Sequence, residues 1–421
     1  MRKSALKVDF MAIAAAVLLA VAATPGARAT TAKDTKILSA AQAARPAQLQ
    51  LLEQVVNIDS GTGDVEGGRK VAGVLIPHLK ALGMTIDSVP AESAGLPENT
   101  VATLSGRGKG RILMIGHIDT VFGPGTAQHR PYRTDEEHAY GPGVADEKGG
   151  VVEGIYALRL LHDLGFQDFK NIVFLIETSE ERGSPGTGAL ITKLLADADV
   201  ELNLEPGDEP DTITVWRKGS ATFHIDVKGR AAHAGVAPQD GRNAATELIH
   251  QVLGVDVFPK SGPGLTANLT LMSAGSRSNI IPEEASAQIN VRVRDKADFD
   301  RVEQTLRKNA ETTIVPDTKV TVSRERSFPP LSNNPATDEL AARAKVIYSG
   351  IGRTLQTGGN GGASESALAA DAGVAALDGL GPAGGGYHSD QEYAKLDTVT
   401  PRLYLLTKLL MDLGRNPPTH K

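Results

Sequence analysis

The sequence predicts an α/β protein with a second, α+β unit inserted into it. Three observations carry that prediction. Apolar runs at 112–115 and 171–177, with a shorter strand at 200–205, have the length of strands buried inside a sheet, and helical-period segments alternate with them. Each of these strands is followed at its carboxyl end by polar, ligand-type residues. From about residue 219 the pattern changes to β-α-β-β-α-β, the ferredoxin-like split unit. A chain of 421 residues is long enough for two domains, and 41% hydrophobic with 22% charged residues is the composition of a globular protein with an ample core.

Residues 1–29 read as a cleavable signal peptide. Arg2, Lys3 and Lys7 precede an apolar run at 10–23, and Ala27-Arg28-Ala29 has the small-x-small form of a processing site. The run is shorter than the roughly 20 residues a membrane anchor needs. These 29 residues carry a net +3, so the remainder stands at −9 against −6 for the whole chain. That acidity argues against nucleic acid or an anionic membrane as partner. The chain has no cysteine, which excludes thiolate metal sites, disulfides and a cysteine nucleophile. A transition metal would have to be held by His, Asp and Glu.

A helical lead-in over 30–60 and an amphipathic helix over 65–83 (Val71, Leu75, Leu79, Leu82) come first, the latter stopped by Gly83. Strands near 85–89 and 99–104 follow, then the buried strand that ends at Gly116. His117, Asp119 and Thr120 stand at its carboxyl end. Residues two apart on an extended chain point the same way, so the Asp119 carboxylate can orient the His117 imidazole. The glycine-rich turn 139–150 leads into a helix at about 148–164. Asp146 stands just before that helix, as an N-cap or as a ligand. The strand 171–177 leads to Glu180 and Glu181, an adjacent pair that is either solvated or neutralised by a cation. The strand 200–205 ends in Glu205.

In the inserted unit, the strands 221–229, 265–274, 284–293 and 318–324 enclose helices at 241–254 and 297–311. Pro329-Pro330 marks the return. A helix at 337–350, a glycine-rich stretch at 358–366, a strand at 373–379 and a closing helix at 400–414 complete the chain. His388, on a loop after the strand 373–379, is expected on the same sheet edge as His117. The expected organisation is therefore 1–29 signal, 30–218 first part of the α/β domain, 219–328 inserted domain and 329–421 second part of the α/β domain.

The motifs GHIDTV, GPGVADEKGG, SEERGSPG, LEP, GRAAHAG, SNIIP and GYHSDQEY, in this order, resemble those of the di-zinc metallopeptidases. That family includes glutamate carboxypeptidase, aminoacylase, acetylornithine deacetylase and succinyl-diaminopimelate desuccinylase. The likeness is strongest to the bacterial exported glutamate carboxypeptidases of the carboxypeptidase G type. It implies a zinc-exopeptidase-like catalytic domain, with a mixed central sheet flanked by helices, and an inserted lid and dimerisation domain.

Position by position, the resemblance implies two zinc ions per subunit. His117, Asp146 and Glu205 hold one, and Asp146 bridges to a second held by Glu181 and His388. Asp119 orients His117, and Glu180 is the general base. His233 reaches the partner subunit's active site to stabilise the oxyanion; apart from the resemblance it reads as a surface-loop histidine. Asn279 and Arg292, with Arg326 as a further candidate, hold the substrate carboxylate. Glu147 is read as a non-ligand.

The implied protein is an exported, periplasmic or secreted, homodimeric zinc exopeptidase. It cleaves an amide beside a free α-carboxylate, with release of C-terminal glutamate from folate-like or small peptide substrates as the leading expectation. An N-acyl-amino-acid amidohydrolase is the alternative, and a non-catalytic periplasmic binding protein is the alternative of another class.

Overall fold

The computed structural model describes residues 33–325 and 328–418. The expected signal peptide, Arg326 and His420 lie outside the described residues.

The mixed central sheet is built from β1 (Thr85–Val89), β2 (Asn99–Ser105), β3 (Arg111–His117), β4 (Asn171–Glu177), β5 (Val200–Asn203) and β6 (Ala375–Leu377), in the spatial order β1-β2-β4-β3-β5-β6. β3 runs parallel to β4 on one side and to β5 on the other, while β1 and β2 are antiparallel. The register sets His117 beside Glu177, the last residue of β4. Three parallel strands thus end side by side, and their following residues project from one edge. Ile112, Leu113, Met114 and Ile115 are all buried, as a strand covered on both faces requires.

Helices Thr35–Val56, Lys148–Asp163 and Leu396–Arg415 contribute to one large apolar core against the sheet. The second helix, Val65–Ala81, buries Val71, Leu75 and Leu79 along one stripe, as its periodicity predicts. Asp34, Asp64, Asn243 and Asn334 cap their helices through side-chain oxygens. Helix Lys148–Asp163 is different: its N-cap Glu147 makes no side-chain bond to the first turn. Its Gly150 allows close approach to the site: a Cβ there would sit 1.9 Å from the Leu204 carbonyl oxygen.

Between Gly219 and Arg324 a four-stranded antiparallel sheet carries its own core, including Phe223, Ile289, Phe299 and Leu306. Its order is Thr266–Ala274, Glu284–Val293, Gly219–Lys228, Lys319–Arg324, the arrangement of the split β-α-β-β-α-β unit. A two-stranded ribbon, Ala232–His233 with Ile280–Ile281, projects from it.

A second, seven-stranded sheet has no counterpart in the expectations. It includes Gly207–Asp208, Thr212–Arg217, Gln356–Asn360, Ala383–Gly385 and Tyr393–Lys395. His388 lies on the loop between the last two of these, so it reaches the site from this second sheet and not from the strand that ends at Leu377. Among the described residues, no helix is long and apolar enough to cross a membrane.

Glu153 is a cost within this core. It is fully buried in helix Lys148–Asp163, and among the described residues neither carboxyl oxygen has a hydrogen-bond partner. Burial pushes its pKa well above the ordinary carboxylate range. The folded protein therefore holds it neutral while the unfolded chain ionises it above roughly pH 4.5. An acid whose pKa is raised on folding loses stability as pH rises through that interval, by about 1.4 kcal/mol per pH unit. Glu153→Met is expected to melt at nearly the wild-type temperature at pH 4.5 and progressively above it towards pH 7.5. A melting difference that stays constant with pH would show that Glu153 is ionised in the fold.

Candidate metal centre and active-site cleft

His117 closes β3 and is 1% exposed. Its Nδ1 lies 3.0 Å from the Asp119 backbone oxygen, leaving Nε2 directed at carboxylates: Asp146 Oδ1 at 3.2 Å, Glu205 Oε1 at 3.4 Å, Glu147 Oε2 at 3.6 Å and Glu180 Oε2 at 3.9 Å. The second histidine, His388, faces the same group from across the cleft. Its Nε2 is 3.3 Å from Asp146 Oδ2 and 3.0 Å from Glu181 Oε2. Asp146 therefore turns one oxygen towards each histidine. Donors sharing one zinc at about 2.0–2.2 Å stand roughly 3.2–3.5 Å apart in tetrahedral geometry, close to the spacing of these donor pairs.

Two donor groups have ligand atoms within 4.8 Å of one another: His117, Glu147 and Glu205, and Asp146, Glu181 and His388. The predicted ligands thus converge. Glu147, expected as a non-ligand, lies among them; its Oε2 also accepts the His117 backbone N–H at 2.9 Å. All donors are oxygen or imidazole nitrogen, and the set fits divalent cations that accept such ligands.

The charge distribution states the same requirement. Burial pushes the Glu180 carboxyl well up, with Glu365 adding to it, and Glu205 is pushed up to about 7 by burial and by Asp146. Burial would raise Asp146 too, but hydrogen bonds from His117 and His388 hold it below its ordinary value. Like charges this close ionise together only when cations compensate them.

Supporting side chains hold the donors. The Asp119 carboxylate accepts the Thr62 hydroxyl at 2.6 Å and the backbone N–H groups of Glu180 at 3.1 Å and Glu181 at 3.3 Å. Its nearer oxygen is 3.5 Å from His117 Nδ1. The backbone carbonyl of Asp119 makes the shorter contact with the imidazole, and its carboxylate, also near the ring, holds the Glu180–Glu181 turn. Glu392 accepts the N–H groups of Gly143, Ala145 and Asp146, at 3.0, 3.0 and 3.1 Å, and so pins the turn that presents Asp146. Glu365 takes the Ser184 hydroxyl and the Asn203 amide, each at 3.0 Å, while Asn203 accepts the Glu205 N–H at 2.9 Å.

Arg217 is absent from the sequence expectations. It is buried at the end of strand Thr212–Arg217, grips Asp378 through two bonds of 2.7 Å, and reaches Glu205 Oε2 at 3.2 Å. No motif marks it; its signal is an arginine in a strand whose neighbours are otherwise apolar or small.

A cleft of about 530 Å³ opens beside the donors, lined by Asp146, Glu180, Glu181, Glu205, His388 and Arg292, among others. Arg292 donates through Nε to Asn290 Oδ1 at 3.0 Å and through Nη1 to the Gly361 carbonyl at 3.4 Å, and it lines the cleft. His233 and Asn279 do not line it. They sit on the exposed ribbon of the inserted unit, where His233 Nδ1 accepts the N–H groups of Gly235 and Val236, each at 3.1 Å.

Residues 113–412 match the peptidase family M20/M25/M40. The chain belongs to this family. It is accordingly a peptidase hydrolase, and a passive binding protein is set aside. It is 36% identical over 408 residues to carboxypeptidase G2 of a Pseudomonas species, covering 95% of this chain and 97% of that one. Succinyl-diaminopimelate desuccinylase of Paracoccus denitrificans is 30% identical, covering 65% of this chain and 74% of its own length. An M20-family metallo-carboxypeptidase structure from Sulfolobus solfataricus superposes with TM-score 0.69 at 16% identity, covering 86% of this chain and 98% of that chain, a likeness of fold.

Arg217→Met leaves Asp378 and Glu205 buried without their cation, and is expected to cost about 3–5 kcal/mol of stability in urea unfolding. Arg217→Lys should recover less than half, since an ammonium cannot reproduce the bidentate grip. Full recovery by lysine would reduce Arg217 to a simple charge.

Proposed function

We propose that the protein is an exported, homodimeric, di-zinc exopeptidase that hydrolyses an amide beside a free α-carboxylate and releases C-terminal glutamate. The observation that carries this reading is Asp146 standing between His117 and His388 with Glu180 beside them. His117, Asp146 and Glu205 would hold one ion, and Asp146, Glu181 and His388 the other; Glu147 Oε2 lies 3.6 Å from His117 Nε2. Two zinc ions there would supply Lewis acidity, lowering the pKa of the attacking water and polarising the scissile carbonyl.

Glu180 takes the proton of the attacking water and returns it to the leaving nitrogen. Burial raises its proton affinity, which suits that exchange. Arg292, at the cleft wall, takes the substrate's α-carboxylate. The likeness to carboxypeptidase G2 supports the choice of bond and of glutamate. The likeness to a desuccinylase favours, as second reading, an N-acyl-amino-acid amidohydrolase on the same site.

Dimerisation is supported by the inserted unit. Thr266–Ala274 is an edge strand, and Leu253, Val257 and Leu271 there are 62%, 69% and 60% exposed. His233 accepts through Nδ1, which leaves its Nε2–H free to donate to an oxyanion across the dimer.

Metal analysis of the purified protein is expected to find two zinc ions per chain. Glu180→Gln should keep both while kcat on an acyl-glutamate falls by about 10³-fold or more. Cleavage of acetylated amino acids but not of acyl-glutamates would select the second reading. Mixing inactive His233→Ala with inactive Glu180→Gln after subunit exchange should restore about a quarter of wild-type activity, because half of the dimers then hold one complete site. Absence of restoration would place His233 outside the partner's site.

A further inference from the structure

Beside the cleft lies a second cavity, of about 540 Å³, between the turn Gly61–Asp64 and the loop Thr120–Pro124. The two cavities meet at Glu181 and Arg182, which line both, whereas Arg292 lines only the first. The groove is a built feature. Gly61 and Thr120 pair through their backbones, and a Cβ on Gly61 would stand 2.2 Å from the Phe122 carbonyl oxygen. Arg130 lies over the Phe122 ring at 4.4 Å, donates to the Ser389 carbonyl at 3.0 Å and pairs with Asp390 at 3.4 Å. The groove wall is thereby tied to the segment that carries His388.

Its chemistry is mixed in a particular way. Val121 is 43% exposed and, with Phe122 and Pro124, gives the wall an apolar face. Arg182 is exposed and, among the described residues, its guanidinium makes neither an ion pair nor a hydrogen bond, although carboxylates crowd the positions around it. An uncommitted guanidinium beside an apolar wall suits a flat ring that carries negative charge: the plane stacks on the ring and the charge finds an acceptor.

We infer that this groove is the subsite for the acyl half of the substrate, and that Arg182 selects aromatic acyl groups bearing an anionic substituent. The inference rests on the proposed exopeptidase reading, in which Arg292 takes the α-carboxylate. Glu181 and Arg182, which line both cavities, mark the way from the Arg292 side of the cleft into this groove for the acyl group of an amide whose carboxylate sits at Arg292.

The test uses the zinc-loaded full chain and two substrates with the same C-terminal residue, one acylated by 4-carboxybenzoyl and one by 4-aminomethylbenzoyl. Wild type is expected to favour the carboxybenzoyl substrate in kcat/KM. Arg182→Glu should lower that preference by about tenfold or more, the scale of reversing one partly exposed charge pair. Val121→Ser should lower kcat/KM for a benzoyl substrate about threefold relative to an acetyl one, by removing apolar contact. A carboxybenzoyl preference within twofold of wild type in Arg182→Glu overturns the subsite alone, provided that hydrolysis itself is seen. If wild type hydrolyses no acyl-amino acid at all, the exopeptidase reading falls and the subsite with it.

Discussion

Five carboxylates and two imidazoles gathered where parallel strands end impose the constraint that the surrounding structure answers. Asp146, Glu147, Glu180, Glu181 and Glu205 crowd around the two imidazoles, and Glu147 and Glu205 are buried. Such a cluster holds its shape only if each member is fixed by something other than its neighbours. Backbone amides do this at Asp119 and Glu392, which convert two flexible turns into fixed presentations of Glu180, Glu181 and Asp146. Glu365 does it from below, joining the segment after Glu181 to the strand end before Glu205.

The parts visible in the sequence are those with a strong local signature. β3 and β4 announce themselves as unbroken apolar runs, and the donors follow them directly, so His117, Glu180, Glu181 and Glu205 could be placed on one edge from pattern alone. The split β-α-β-β-α-β unit is legible for the same reason, since its strands alternate and its helices keep their period. The second sheet is not. Several of its strands are two or three residues long, and Gln356–Asn360 is rich in glycine, so neither length nor alternation betrays them. The site of His388 was therefore foreseen, but its route to that site was not.

Arg217 shows a different limit. Its partner Asp378 lies 161 residues further along the chain, and nothing local to Trp216-Arg217-Lys218 records the contact. Asp119 shows a third. Period-two geometry correctly puts His117 and Asp119 side by side, yet cannot say whether backbone or carboxylate takes the imidazole proton. That choice is made by Thr62 and the Glu180–Glu181 turn, which claim the carboxylate first.

Arg217 stands at the last position of its strand, and two residues later Gly219 begins the inserted sheet. The returning chain crosses at the same level, where Leu331 pairs with Arg217 and Phe328 with Ser220. The place where the chain enters and leaves the inserted sheet thus also holds Glu205 through Arg217. The crossing into and out of the inserted sheet and the support of Glu205 thus share one buried arginine, so a change at either is felt by the same side chain.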